Sequence, residues 1–204
     1  MIDFSAEFER SPLMLILRGL GAERSLELAS RAWDAGIGLV EIPLQSDQDA
    51  DALAALVHAG AARSRLVGAG TIVSTALVDR ARSLGAAFTV APGVDAEVAR
   101  ASAGAGLAHL PGVATASDIQ AAVALGCSWV KMFPAAQLGP GWARAMRGPF
   151  PDVRIVATGG MSSANAVEFL EAGVDAVAVG AALADPDELA ALRAIAASPR
   201  WLRA

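Results

Sequence analysis

The sequence predicts an α/β fold, a single (β/α)8 TIM barrel over residues 1–204 that begins with a short N-terminal helix. Short apolar runs alternate with Ala- and Leu-rich stretches that have helical periodicity, and eight such runs occur. A glycine also recurs where the helices should end. A doubly wound open sheet uses the same βα units, but no GxGxxG motif follows the first run. The barrel is therefore favoured.

Each apolar run predicts a strand, and each intervening stretch predicts a helix. The strands are expected at residues 13–17, 39–42, 66–69, 88–91, 108–110, 129–133, 154–157 and 176–179. The helices are expected at residues 26–35, 50–59, 76–84, 95–104, 117–125, 140–146, 164–171 and 188–196.

Capping residues support these helix boundaries. Ser25, Ser117 and Ser163 are predicted to cap helix N-termini, because a hydroxyl can accept a hydrogen bond from a free backbone N–H. Left-handed C-caps, which glycine adopts without strain, are predicted at Gly36, Gly85, Gly126 and Gly173.

The composition limits the classes of partner. The formal net charge of −5 gives no basic surface for nucleic acid or anionic lipid, so we expect a small-molecule partner. The first ten residues are acidic and lack the features of a secretory signal, and no apolar run approaches the ~20 residues that a membrane helix needs. We therefore expect a cytoplasmic protein with no membrane contact.

Cysteine and histidine are too few to build a disulfide or a metal site. Cys127 is the only cysteine, and His58 and His109 are the only histidines. No multi-cysteine metal site is expected, the two histidines alone cannot form a zinc site, and both histidines are interpreted as structural residues.

Lys131 is the first candidate for a catalytic group. It is the only lysine in the chain and lies in the predicted apolar strand SWVKMFP. Burial lowers the pKa of an amine, and a neutral amine can attack a carbonyl to form a Schiff base. The alternative is a structural lysine that reaches solvent from a strand end or pairs with a buried carboxylate.

Glu41 is the second candidate, because it is an ionisable group in the apolar second strand. If Glu41 and Lys131 face the same barrel mouth, the carboxylate can move protons during Schiff-base formation. A structural ion pair between them is the alternative, although such buried pairs are often no more stable than apolar residues.

Two residues after strands are candidates to bind a substrate carboxylate. Arg18 follows the first strand and has a planar guanidinium that suits bidentate binding. Thr71 follows the third strand and has a hydroxyl that can bind the same group. A solvated arginine and a helix cap are the respective alternatives.

Glycine-rich loops after the last two strands predict a phosphate site. Thr158, Gly159 and Gly160 follow the seventh strand, and Gly180 and Ala181 follow the eighth. Backbone N–H groups commonly bind phosphate at this position in barrels. The alternative is that these glycines serve only as turn residues.

Seven motifs in order over nearly the whole chain resemble the 2-keto-3-deoxy-6-phosphogluconate and 2-keto-3-deoxy-6-phosphogalactonate aldolase family. They are ILRG at 16–19, VEIPL at 40–44, GAGT at 68–71, APG at 91–93, LPG at 110–112, VKMFP at 130–134 and TGG at 158–160. The glutamate strand combined with the Lys-x-Phe-Pro motif is the most specific feature.

The resemblance implies a homotrimeric class I aldolase, a carbon–carbon lyase without metal or cofactor. It would cleave 2-dehydro-3-deoxy-6-phospho-D-galactonate to pyruvate and D-glyceraldehyde 3-phosphate. By resemblance, Lys131 is the Schiff-base lysine and Glu41 the proton shuttle. The implied substrate contacts are Arg18 and Thr71 to the carboxylate, Pro92 and Phe133 along the pocket, and Gly159, Gly160 and Gly180 to the phosphate.

Two positions bear on the branch of this family, and a third departs from the usual pattern of the whole family. Gln45 resembles the galactonate branch, because the gluconate enzymes tend to have arginine there, whereas Thr158 resembles the gluconate branch. Ala181 replaces a serine that usually contacts the phosphate. A gluconate or 4-hydroxy-2-oxoglutarate aldolase, or an aldolase for a non-phosphorylated substrate, therefore remains an alternative.

Two alternatives from other classes also remain open. One is a sugar-phosphate isomerase or epimerase that uses Glu41 and needs no covalent lysine. The other is a non-catalytic sugar-phosphate binding module with a structural Lys131–Glu41 pair.

Overall fold

The computed structural model describes residues 4–180 and 185–201, and its strands are all parallel. The strands are β1 Leu13–Ile16, β2 Leu39–Pro43, β3 Val67–Gly70, β4 Phe88–Val90, β5 Ala108–Leu110, β6 Gly112–Val113, β7 Trp129–Met132, β8 Arg154–Thr158 and β9 Ala176–Val179. The helices are α1 Phe4–Arg10, α2 Gly21–Asp34, α3 Asp47–Ala61, α4 Thr75–Ser83, α5 Ala96–Gly104, α6 Ala116–Ala124, α7 Ala135–Leu138, α8 Pro140–Arg147, α9 Ser163–Glu171 and α10 Pro186–Ala196. None of these helices has the length and hydropathy to cross a membrane.

The strands form the predicted TIM-type barrel, with the fifth strand in two pieces. The sheet order is β5-β4-β3-β2-β1-β9-β8-β7-β6, and Pro111 separates β5 from β6 in the chain. Proline has no N–H to donate, so the strand is interrupted there. The carbonyl of Pro111 still accepts the N–H of Lys131 at 2.8 Å, beside the Gly112–Lys131 pair of β6 and β7. The first piece of the fifth strand pairs with β4 and the second with β7.

Side chains alternate between a layer under the helices and the barrel interior, as they must along a strand. On β2, Val40 and Ile42 belong to the cluster beneath the helices, whereas Leu39 belongs to the interior cluster. Glu41 follows the alternation of Leu39 and so faces the interior. This alternation places polar side chains of several strands in one central space.

Helix α1 closes the N-terminal end of the barrel, and it confirms the predicted N-terminal helix. The Phe8 ring lies 4.9 Å from the ring of Trp129, the first residue of β7, and the Phe4 ring lies 5.4 Å from that of Phe88. Buried aromatic packing therefore fills this end. The other end, where the strands reach their carboxyl termini, is left for a ligand site.

The predicted C-terminal glycine caps are confirmed. Gly36, Gly85, Gly126 and Gly173 each have a φ between 82° and 99°, in the left-handed region. These glycines let the chain reverse tightly from helix into strand.

The predicted N-terminal caps were wrong. Ser25 is buried inside α2, Ser117 lies inside α6, and Ser163 is the first residue of α9. The residues that cap α6 and α9 are Thr115 and Ser162. They lie one or two residues earlier, where the backbone is still extended and a hydroxyl can reach the first turn.

His109 lies between the barrel and its helices, in a buried polar cluster. The hydroxyl oxygen of Thr89 lies 2.9 Å from Nδ1 of His109 and 3.0 Å from the hydroxyl oxygen of Ser102. Burial lowers the pKa of His109 to about 4, and the charge of Asp95 opposes this shift. His109 is therefore a neutral structural residue at physiological pH.

We expect the parent protein to lose on the order of 3 kcal/mol of stability as the pH falls from about 6.5 to about 4, owing to His109. Between these pH values the imidazole of His109 binds a proton in the unfolded chain but stays neutral in the folded protein, so a lower pH favours unfolding. Chemical denaturation at several pH values should show a flatter profile for His109→Gln. His58→Gln, on the exposed face of α3, is the matched control. Parallel profiles for parent and His109→Gln would contradict the assignment.

Candidate active site

Lys131 and Glu41 lie in the interior of the barrel, towards its C-terminal end. Lys131 is the third residue of β7 and is 5% exposed, and Glu41 is the third residue of β2 and is 0% exposed. Their strands are on opposite sides of the barrel, because β2 pairs with β1 and β3 while β7 pairs with β6 and β8. The two ionisable groups predicted from sequence therefore share one buried space.

The two groups interact electrostatically without a direct ion pair. Both carboxylate oxygens of Glu41 are buried and have no hydrogen-bond partner within residues 4–180 and 185–201. The Nζ of Lys131 lies 4.9 Å from the centroid of the Phe133 ring. The amine of Lys131 is therefore not hydrogen-bonded to the carboxylate of Glu41.

Burial shifts both groups towards their neutral forms. Burial raises the pKa of Glu41, although the charges of Lys131 and Arg18 oppose the rise. Burial also lowers the pKa of Lys131, and the charge of Arg18 adds to this effect while that of Glu41 opposes it. A lysine in this state supplies a neutral amine more readily than one in water.

Two glycines on β3 make space for interior side chains. A Cβ atom at Gly70 would lie 1.8 Å from Oε1 of Glu41, and one at Gly68 would lie 2.2 Å from Cε2 of Phe88. Only glycine is therefore compatible with the observed Glu41 carboxylate. The side chain that lies against the backbone of Gly70 is that of Glu41.

Arg18 lies at the mouth, just after β1. Its side chain is exposed, and Nη1 donates a hydrogen bond to Oε1 of Gln45, which follows β2. This contact joins the loops after two neighbouring strands. The sequence offered no signal for it, because both residues lie in loops and are 27 positions apart.

A pocket of about 450 Å³ opens at this end of the barrel. It is lined by seven of the residues predicted to form the site, and those residues are Arg18, Lys131, Phe133, Thr158, Gly159, Gly160 and Gly180. Apolar residues complete the lining, and they are Ile16, Met161 and Ala178. The pocket thus joins the lysine to the glycine loops.

The glycine loops present unbonded backbone N–H groups. In the described part of the chain, the N–H groups of Gly159, Gly160 and Gly180 donate to no acceptor. The carbonyl of Gly159 accepts from the N–H of Ala136 at 3.0 Å, and that of Gly160 accepts from Asn165 at 2.9 Å. With their carbonyls held in this way, these loops can offer N–H groups to an anion.

Three of the predicted site residues that the structure describes are not in the lining of this pocket, and they are Glu41, Thr71 and Pro92. Thr71 follows β3 with a φ of 59°, which is unusual for a β-branched residue, and Pro92 follows β4 on an exposed loop. Ala181 lies outside the described residues, so its predicted place beside the phosphate is untested.

Thr158, which lines the pocket, has a hydroxyl that is buried without a hydrogen-bond partner within the described part of the chain.

The acidic and imidazole groups of the described residues do not assemble a metal centre. Over residues 4–180 and 185–201, no group of three or more His, Cys, Asp or Glu side chains is arranged to hold a metal ion. The polar groups that line the pocket are the amine of Lys131, the guanidinium of Arg18, the hydroxyl of Thr158 and backbone N–H groups, and the carboxylate of Glu41 lies in the barrel interior outside this lining. That set suits a carbonyl compound with anionic ends.

A family model and two known proteins that this chain resembles are all described as aldolases. Residues 5–196 match the family model described as KDPG and KHG aldolase. The chain is 36% identical to a probable 2-dehydro-3-deoxy-6-phosphogalactonate aldolase of Rhizobium meliloti, over 86% of this chain and 82% of that protein. It is 34% identical to the 2-dehydro-3-deoxy-6-phosphogalactonate aldolase of Escherichia coli, over 84% of each.

A solved structure also matches the whole barrel. The KDPG aldolase of Legionella pneumophila superposes with a TM-score of 0.82 at 27% identity, over 96% of this chain and 97% of that one. In that crystal structure pyruvate is captured as a covalent carbinolamine intermediate. A carbinolamine is what an amine and a carbonyl form on the way to a Schiff base.

Proposed function

The chain belongs to the KDPG and KHG aldolase family, and from that premise we propose that it cleaves 2-dehydro-3-deoxy-6-phospho-D-galactonate to pyruvate and D-glyceraldehyde 3-phosphate. Membership makes it a class I aldolase, so lyase chemistry prevails over the isomerase and binding-module alternatives. The observation that supports the mechanism best is a buried lysine in an open pocket with an unpaired buried glutamate across the barrel.

In this proposal the neutral amine of Lys131 attacks the C2 carbonyl of the substrate. The carbinolamine loses water to give an imine, which withdraws electrons from C3. The C4 hydroxyl then gives up its proton, the C3–C4 bond breaks, and the aldehyde leaves. The enamine that remains takes a proton at C3, and water releases pyruvate and restores the amine.

Glu41 moves the protons in this scheme. Burial raises its pKa, so the carboxyl group can hold a proton at a higher pH than a solvated glutamic acid, donate it to the departing hydroxyl of the carbinolamine and accept one again. The absence of a direct partner for its oxygens among the described residues favours this role over a structural ion pair. Because Gly70 has no Cβ atom, the barrel interior has room for this carboxylate.

The two anionic ends of the substrate have separate sites in the proposal. Arg18 and Thr71 would bind the carboxylate beside the imine carbon, and Pro92 and Phe133 would line the pocket around the pyruvate unit. The N–H groups of Gly159, Gly160 and Gly180, with Ala181, would receive the phosphate. Their open N–H groups support this assignment.

A side-by-side assay of four compounds tests the proposal. Pyruvate release should be fastest with the galactonate phosphate, slower with the gluconate phosphate, and at least about tenfold slower with either dephosphorylated acid, since several hydrogen bonds to a charged group are lost. Equal rates with and without phosphate would remove the phosphate site from the proposal. No pyruvate from any of the four would reject the aldolase reaction itself.

The gluconate phosphate is a second candidate, favoured by Thr158. Its hydroxyl lies buried at the end of β8 without a partner in the described residues, so it can bond to a substrate hydroxyl. The two substrates differ only in configuration at C4. A preference for the gluconate phosphate in the same assay would select this candidate.

We also propose a cytoplasmic homotrimer. The family resemblance supports the trimer, and the composition supports the compartment. Light scattering of the purified protein gives the mass in solution, and a monomeric mass would contradict the trimer.

A further inference from the structure

Arg18 has one fixed contact at the mouth of the barrel. Its Nη1 donates to Oε1 of Gln45, and among the described residues the guanidinium has no other hydrogen-bond or ion-pair partner. An exposed arginine side chain has many rotamers, and binding a planar anion requires one of them. Gln45 is therefore the only described group that restricts Arg18 by hydrogen bonding.

The backbone of Gln45 is itself held firmly. Its N–H donates to Oδ2 of Asp49 at 3.1 Å, and the hydroxyl of Ser46 donates to the same oxygen at 2.8 Å. The N–H of Asp49 donates back to the hydroxyl oxygen of Ser46 at 3.2 Å, so Ser46 caps the start of α3. Asp49 is buried, so Gln45 extends an exposed amide from a rigid base.

The acceptor on Gln45 is neutral, which matters for the charge at the mouth. A carboxylate in this position would form an ion pair with Arg18 and compete with an anionic substrate. An amide accepts the hydrogen bond and leaves the positive charge uncompensated. The uncompensated charge of Arg18 also acts on Lys131, because it adds to the lowering of the Lys131 pKa that burial causes.

We propose that Gln45 is a positioning residue that orients Arg18 to receive the carboxylate of a 2-keto acid while leaving its charge free. This inference rests on the proposed function, because it assumes that a 2-keto acid binds at Lys131. It adds a residue that acts through Arg18 to a site whose other predicted residues contact the substrate directly.

The test is the concentration of pyruvate that half-saturates borohydride trapping on Lys131. Gln45→Leu removes the acceptor and should raise this concentration about tenfold, with little change in the maximum extent of trapping. Gln45→Glu keeps an acceptor but adds a negative charge, and should raise it at least as much. Gln48→Leu, an exposed glutamine in the first turn of α3, is the matched control and should behave as the parent.

A double-mutant cycle gives the decisive outcome. In an Arg18→Leu background, Gln45→Leu should have almost no further effect, because its role acts through the guanidinium. An unchanged half-saturating concentration for Gln45→Leu, or an effect of the same size in both backgrounds, would overturn the inference while leaving the aldolase proposal intact. A parent protein that cannot be trapped at all would overturn both.

Discussion

Lys131→Met is expected to reduce pyruvate release by at least about 10³-fold, because it removes the nucleophile on which every covalent step depends. Methionine has a similar length and no charge, so it should fill the same buried position. The midpoint of thermal unfolding should be maintained or raised, since a buried cation is replaced by an apolar group. Activity near background in a folded protein is the predicted combination.

Reductive trapping separates this prediction from a general loss of structure. Borohydride with pyruvate should add the mass of a reduced pyruvate adduct to the parent, on the peptide that contains Lys131. No other side-chain amine competes, because Lys131 is the only lysine. Met132→Leu, which changes the next residue of β7 on its outer face, is the control and should still be trapped. Normal turnover by Lys131→Met would exclude the Schiff-base mechanism.

The barrel was predictable because its signals are local. Strand alternation, helical periodicity and C-terminal glycines each involve only a few neighbouring residues, and together they select one repeated unit. The break at Pro111 also follows from a local rule, the missing N–H of proline. The hydrogen bond from Lys131 to the carbonyl of Pro111 could not be predicted from a local rule, because it depends on the register between β6 and β7.

The candidate site was predictable where a residue stood out chemically. A sole lysine and a glutamate in apolar strands are both unusual, and each proved to be buried in the barrel. The role of Gly70 was not accessible, because it depends on the register that sets Pro43 of β2 opposite Gly70 and brings the Glu41 side chain beside it. The Arg18–Gln45 contact was missed for the same reason, since loops have no periodicity from which to infer neighbours.

Glu41→Gln is expected to lower turnover by about 10²- to 10⁴-fold, the usual range for removing a general acid–base group. Glutamine has the same shape and fits the space beside Gly70, so the fold should be retained. Pyruvate should still be trapped on Lys131 by borohydride after long incubation, although more slowly. Glu23→Gln, an exposed residue in the first turn of α2, is the matched control and should match the parent in both assays.

The pH dependence of trapping then distinguishes loss of a proton shuttle from loss of a nucleophile. The negative charge of Glu41 holds the pKa of Lys131 higher than burial and Arg18 alone would set it. Removing that charge should lower the pKa of Lys131 further, so the fraction of neutral amine at a given pH rises. The acid limb of the trapping profile should therefore move to lower pH in Glu41→Gln while turnover falls. A shift of the acid limb to higher pH would contradict the charge interaction between Glu41 and Lys131. A loss of turnover explained wholly by absent trapping would mean that Glu41 does not act as the proton shuttle.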